Sequence, residues 1–253
     1  MPDRGPDLYL SQALALRENL LKDIAPDALH DFRTLLRRLE TALRLEKNLV
    51  DSTQAKRALD GLKALRQASN PIRDLDVLSK FFPGGNLPGP LVLKRQKLAG
   101  KLWEIMSFSA TLRLLLSTRD LLRQAEEKVQ SKPGKKEIRS AFKKEIHRIE
   151  DELDDYRKQC PRPERLHHLR IRSKRLRYAL KMFKPLHHKG WRKLRDYARD
   201  SQDTLGRLRD VQFARKSVPK LSLELKDREA DLLRKAKKIL RKLEHQIKRG
   251  SLD

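Results

Sequence analysis

The chain has 253 residues, and its 60 Lys and Arg against 34 Asp and Glu leave a net charge of +26. Such an excess repels itself in a compact state and attracts polyanions, so nucleic acid, anionic membrane and inorganic phosphate chains are the partners to weigh. Aromatics at 5% offer little for base stacking, and the single Cys160 excludes an internal disulfide.

The first residues lack a signal-like apolar core, and no run reaches the roughly 18 apolar residues of a membrane span. A basic cytoplasmic protein with no membrane partner is the expectation. Helical periodicity runs through almost every segment and sustained strand alternation through none, so the fold class is all-α. Breakers fall at Pro26, Pro71, Phe81 to Pro90, Ser131 to Gly134, Pro161 with Pro163, Pro185, Gly190 and Pro219. In chain order they predict helices over 7–23, 27–48, 52–69, 71–80 and 91–130, the last with a break near Ser107 to Ser109. After the SKPG stretch come 135–159, 163–184, 190–205, 207–216 and 222–249.

Five predicted helices precede SKPG and five follow it, which suggests a duplication. Pro26 to Arg44 aligns with Pro163 to Lys181 at a constant offset of 137, with eight of nineteen positions identical. Ile72 to Val77 aligns with Leu208 to Phe213 at an offset of 136. Each half therefore carries His-x-x-Arg, then a basic helix, then Arg-Asp about forty residues later. The internal repeats span about 1–130 and 135–253 within a single domain over 1–253.

On a helical wheel, Arg33, Arg37 and Arg44 share a stripe with His30, and Phe32, Leu35, Leu36, Leu39, Ala42 and Leu43 lie opposite. In the second copy His167, Arg170, Lys174, Arg177 and Lys181 form the stripe, and Leu169, Leu176, Ala179, Leu180 and Phe183 the apolar face. Each helix can bury one face while displaying a column of cations that starts near its N-terminus, where backbone N–H groups also favour anions. A charge stripe is usually only a solvated face. Solvated faces mix signs, however, and these columns do not. If the halves pack about a pseudo-twofold axis, the columns face a shared cleft.

A matching ligand offers many anionic oxygens in a line. Arg38 and Arg175 add to the columns, because a guanidinium stays charged and donates two parallel bonds to phosphate. His30 and His167 would gain charge beside phosphate, or else serve structural hydrogen bonds. Asp74 and Asp210 are expected to hold motif cations in place, Arg73 and Arg209 to do this and to join the ligand site. Tyr178 is expected to pack its ring and offer its hydroxyl at the rim. Glu40 stands where the second copy has Arg177; it either weakens the first half-site or pairs with a neighbouring cation.

No catalytic nucleophile, cofactor motif or metal site stands out. Cys160 lies in a QCPRP stretch with nothing to lower its pKa. His167-His168 and His187-His188 are adjacent pairs that diverge by about 100° on a helix and lack further ligands at metal-site spacing. PGGNLPGP lacks the Lys-Ser/Thr ending of a phosphate-binding loop. The acidic run from His147 to Lys158 is expected to be mainly a solvated face with some internal pairing. A non-enzymatic binding protein is the expectation, with RNA or DNA as the alternative ligand that the net charge leaves open.

His30-x-x-Arg33-x-x-x-Arg37-Arg38-Leu39, Arg73-Asp74-x-Asp76-Val77, Leu166-His167-x-x-Arg170-Ile171-x-x-Lys174-Arg175-Leu176-Arg177-Tyr178 and Leu205-Gly206-x-x-Arg209-Asp210 together resemble the CHAD family, the conserved histidine α-helical domain. The resemblance covers nearly the whole chain. It implies two helical bundles related by pseudo-twofold symmetry around a basic central cleft. It also implies binding of inorganic polyphosphate, often at polyphosphate granules. Glu40 departs from the usual Arg, and Asn70-Pro71 departs from a Leu-Gly pair. The Glu-x-Glu-x-Lys motif of the triphosphate-tunnel domain joined to some relatives does not occur.

Overall fold

A computed structural model of the chain describes residues 6–129, 131–158, 163–182 and 191–249. Its helices are α1 (Pro6–Lys22), α2 (Pro26–Glu46), α3 (Ser52–Ala68), α4 (Asn70–Ser79), α5 (Gly89–Ser107), α6 (Ser109–Val129), α7 (Lys132–Lys158), α8 (Pro163–Met182), α9 (Trp191–Ser217) and α10 (Lys226–Arg249). Among the described residues there is no strand, so the fold is all-α as expected. Cys160, Phe183, Pro185 and His187-His188 lie outside the described residues.

Local chemistry explains where the helices start. Pro26 opens α2 at the first helical position, where its missing N–H costs nothing. Asp51 caps α3, its carboxylate accepting from Gln54 N at 2.7 Å. Ser131 caps α7 by accepting from Gly134 N at 3.0 Å. The SKPG stretch is therefore a helix start, and α7 begins three residues earlier than the periodicity suggests.

Of two further boundaries, the first falls where the sequence places it and the second does not. The 91–130 segment breaks at Phe108, whose extended backbone ends α5. Arg17 from α1 supports that break by donating to Met106 O at 2.8 Å, a carbonyl left without a helical partner. The predicted helices 190–205 and 207–216 are instead one continuous helix, α9. Its counterpart in the first repeat is broken into α3 and α4 at Ser69, just ahead of Pro71. The position matching Pro71 at the 136-residue offset is Arg207, which keeps its N–H, so α9 runs through.

The chain divides into two compact units, Met1–Ile138 and Arg139–Asp253, with the boundary inside α7. In the first unit α2 packs against α1, α3, α4 and α6. Its predicted apolar face is buried throughout: Phe32, Leu35, Leu36, Leu39, Ala42 and Leu43. In the second unit α9 lies between α8 and α10, burying Leu194, Ala198, Leu205, Leu208, Val211 and Ala214.

Candidate anion-binding site

In the second unit, α8 buries Leu166, Leu169, Leu176, Ala179 and Leu180. Its polar positions divide between two environments. On one side Arg165 pairs with Asp155 at 3.4 Å, His168 with Glu152 at 3.7 Å, and Arg172 with Glu145 at 3.8 Å. All three acids belong to α7, and Glu145 is itself buried. Within the acidic run from His147 to Lys158, Asp155 and Glu152 thus add internal pairing to a face on which Asp151 and Asp155 are exposed, and Glu145 lies just ahead of it.

α8 also borders a cavity of about 420 Å³ whose apolar lining is Leu166, Leu205 and Leu208. His167, His168 and Arg170 from α8 and Arg209 from α9 line it, together with Glu164 and Gln212. Burial lowers the proton affinity of Arg170, and Arg209 lowers it further; Asp210 and Tyr178 oppose this. His167 is likewise lowered from 6.5, first by burial, then by Arg209, Arg170 and His168. Among the described residues nothing accepts from the buried Nε of Arg170. A Cβ added at Gly206 would stand 3.6 Å from that nitrogen, so glycine keeps this face of the guanidinium clear.

Further along α8, Lys174 Nζ sits 5.8 Å from the centroid of the Tyr178 ring, within cation–π range. Tyr178 is buried, as expected for its ring. Arg175 and Arg177 are half-buried and Lys181 is exposed. Arg177 lies 3.8 Å from Asp203 on α9.

In the first unit, His30 is exposed and Arg37, Arg38, Arg44 and Arg73 are half-buried. Arg33 differs from the expected displayed column, being only 5% exposed. Its guanidinium donates to Arg66 O at 2.7 Å, to Ser69 Oγ, and to Asn70 Oδ1 at 2.8 Å. Burial, then Arg37, Arg66 and Arg73, bring its pKa down to about 9, while Asp74 acts the other way. Glu40 pairs with a neighbouring cation, Arg66, at 2.6 Å. That settles the Glu40 alternative in favour of pairing.

Sequence reasoning passed over Ser69 as an acceptor and over Gln212 as a cavity residue. Asn70 stood out only as a departure from Leu-Gly. The 136-residue alignment already set Ser69-Asn70 opposite Leu205-Gly206, which is the substitution that fills one site and leaves the other open. Asp76 and Gln212 are likewise aligned. Asp76 accepts from Arg95 Nε at 2.7 Å, whereas Gln212 donates to Glu229 Oε1 at 2.9 Å.

Among the described residues no group of three or more His, Cys, Asp or Glu is placed to hold a metal ion. No described helix is long and apolar enough to cross a membrane. The family model for the CHAD domain matches residues 7–219. A crystal structure of the CHAD domain from the plant Ricinus communis aligns with a TM-score of 0.66, covering 98% of this chain and 90% of that chain at 20% identity. That likeness establishes the fold. No curated protein matches the chain. With most of its length covered by that model and its all-helical fold shared with the plant domain, the chain belongs to the CHAD domain family.

Proposed function

We propose that the protein binds inorganic polyphosphate without transforming it, and that this binding serves association with polyphosphate granules. The observation that carries the reading is the convergence of His167, Arg170 and Arg209 on one cavity. Burial and the charge of Arg209 disfavour the protonated form of Arg170, and burial, Arg209 and Arg170 that of His167, a strain that an anion relieves. Phosphate suits the site because guanidinium groups donate in a planar fork and an apolar lining excludes competing water. Lys174, Arg175, Arg177 and Lys181 on α8 extend the contacts, and His30, Arg37, Arg38, Arg44 and Arg73 supply cations in the first unit. Membership of the CHAD family, which is associated with polyphosphate, supports the same ligand.

The test is calorimetric titration with long-chain polyphosphate at several salt concentrations, with RNA of equal charge as control. Saturable binding that exceeds RNA binding, and weakens as salt rises, is the expected result. Replacing Arg170, Lys174 and Arg177 together by Ala is expected to nearly abolish it in a chain that stays folded. Unchanged affinity in that triple variant overturns the site. Equal affinity for RNA reduces it to a generic basic surface. Phosphate release from the polymer, assayed with and without Mg²⁺, is expected to be nil.

A further inference from the structure

We propose that the two half-sites are functionally unequal: a phosphate group of the ligand seats against Arg170 in the second unit, whereas Arg33 in the first unit is a structural strut that makes no ligand contact. The inference rests on the phosphate-binding reading above and assigns that role to one half of the molecule. Ser69 and Asn70 in one half, and Leu205 and Gly206 in the other, determine the difference.

The two arginines occupy matching positions, 137 residues apart. Arg33 commits N–H groups of both terminal nitrogens to three acceptors around the α3–α4 junction: Arg66 O, Ser69 Oγ and Asn70 Oδ1. A guanidinium has five donors, and those committed to protein acceptors are not available to an anion. Arg33 is also almost wholly buried. Arg170 meets Leu205 and Gly206 instead. Leucine offers no side-chain acceptor and glycine no side chain at all. Its Nε is left without an acceptor among the described residues, and the guanidinium faces a cavity shared with His167 and Arg209. A buried donor without a partner is costly, and an oxygen-rich anion in the cavity supplies the missing acceptor.

The break between α3 and α4 also contributes. It exposes Arg66 O as a helix-end carbonyl, an acceptor that the unbroken α9 does not offer. Pro71 thus helps build the acceptor set that holds Arg33.

Inorganic triphosphate is the probe, because it is too short to average over many contacts. Calorimetry is run on the full chain, with thermal melting to verify the fold of each variant. One triphosphate per chain is expected for the native protein. Gly206→Asn places an amide against Arg170, imitating Asn70, and is expected to weaken triphosphate binding at least tenfold with the fold retained. The double variant Ser69→Ala with Asn70→Ala is expected to lower the melting temperature while leaving triphosphate affinity within twofold of native. The converse result overturns the inequality: a folded Ser69/Asn70 variant that loses affinity, or a Gly206→Asn variant that binds like the native chain. Two equivalent triphosphates on the native chain also overturn it. If neither triphosphate nor long-chain polyphosphate binds the native protein, the underlying reading fails as well, and the two failures are thereby told apart.

Discussion

Arg33 and Arg170 share a motif, a helix position and a preceding histidine, yet they serve under opposite conditions. Arg33 is closed in by Ser69, Asn70 and the end of α3; Arg170 stands over a cavity with a glycine at its flank. The comparison teaches that a repeated motif carries residue types forward without carrying their surroundings. What a buried cation does is decided by the acceptors around it, and here two residues about 36 positions away decide that.

Breaking the first arrangement has the largest expected effect. Arg33→Ala leaves Ser69, Asn70 and Arg66 O facing a buried void, and should destabilise folding by about 3 kcal/mol. Arg170→Ala removes a guanidinium whose buried Nε has no acceptor among the described residues, and should cost less than about 1 kcal/mol in stability while weakening polyphosphate binding. Urea unfolding of both variants, read by circular dichroism, checks this; equal losses would erase the distinction.

pH separates the units in a second way. In the first unit, burial and then Glu126 raise the pKa of Glu46 from 4.5 to about 8. The folded state therefore holds a proton that the unfolded state releases near 4.5. Stability from the neutral carboxyl is complete below that value and drains away as pH rises through about 8. Glu46→Gln should remove this slope and stabilise the protein at pH above 8 by about 2 kcal/mol, as followed by denaturant midpoints across pH.

In the second unit His167 is the group to follow. Burial, Arg209, Arg170 and His168 lower its pKa, so the folded state loses stability as pH falls through 6.5. A bound phosphate reverses the sign by favouring imidazolium. Polyphosphate affinity should then rise severalfold between roughly pH 7.5 and 5.5, with proton uptake visible as a buffer-dependent heat of binding. His167→Gln should flatten that dependence.

Helix existence and the apolar faces were legible because period and breakers are local signals. Phe32, Leu35, Leu36, Leu39, Ala42 and Leu43 could be assigned to the core without any tertiary knowledge. Less legible were features decided by partners distant in sequence. Gly206 reads as a breaker, since glycine costs a helix about 1 kcal/mol, but packing of α9 between α8 and α10 overrides it. The burial of Arg33 was hidden because its acceptors come from a helix end that the wheel of α2 does not contain. The α7 acids likewise look like a solvated face until Arg165, His168 and Arg172 of α8 are brought beside them.

The smallest expected effect concerns a pair of charges exchanged between the units. Glu40 pairs with Arg66 at 2.6 Å; 137 residues further on, Arg177 faces Asp203 at 3.8 Å. The sign at the Glu40/Arg177 position is reversed, and an ion pair to the neighbouring helix is present in both units. Glu40–Arg66 is short and mostly shielded, whereas Arg177–Asp203 is longer and more open to solvent. Double-mutant cycles to Ala should give a coupling of about 1 kcal/mol for the first pair and less than about 0.5 kcal/mol for the second. A loosely held Arg177 can turn from Asp203 to an incoming phosphate at small cost; Glu40 in that place repels one. The exchange therefore favours the second unit as the phosphate-facing half. The combined exchange Glu40→Arg with Arg66→Asp should keep the fold and raise polyphosphate affinity. Unchanged affinity would mean that this position does not reach the ligand.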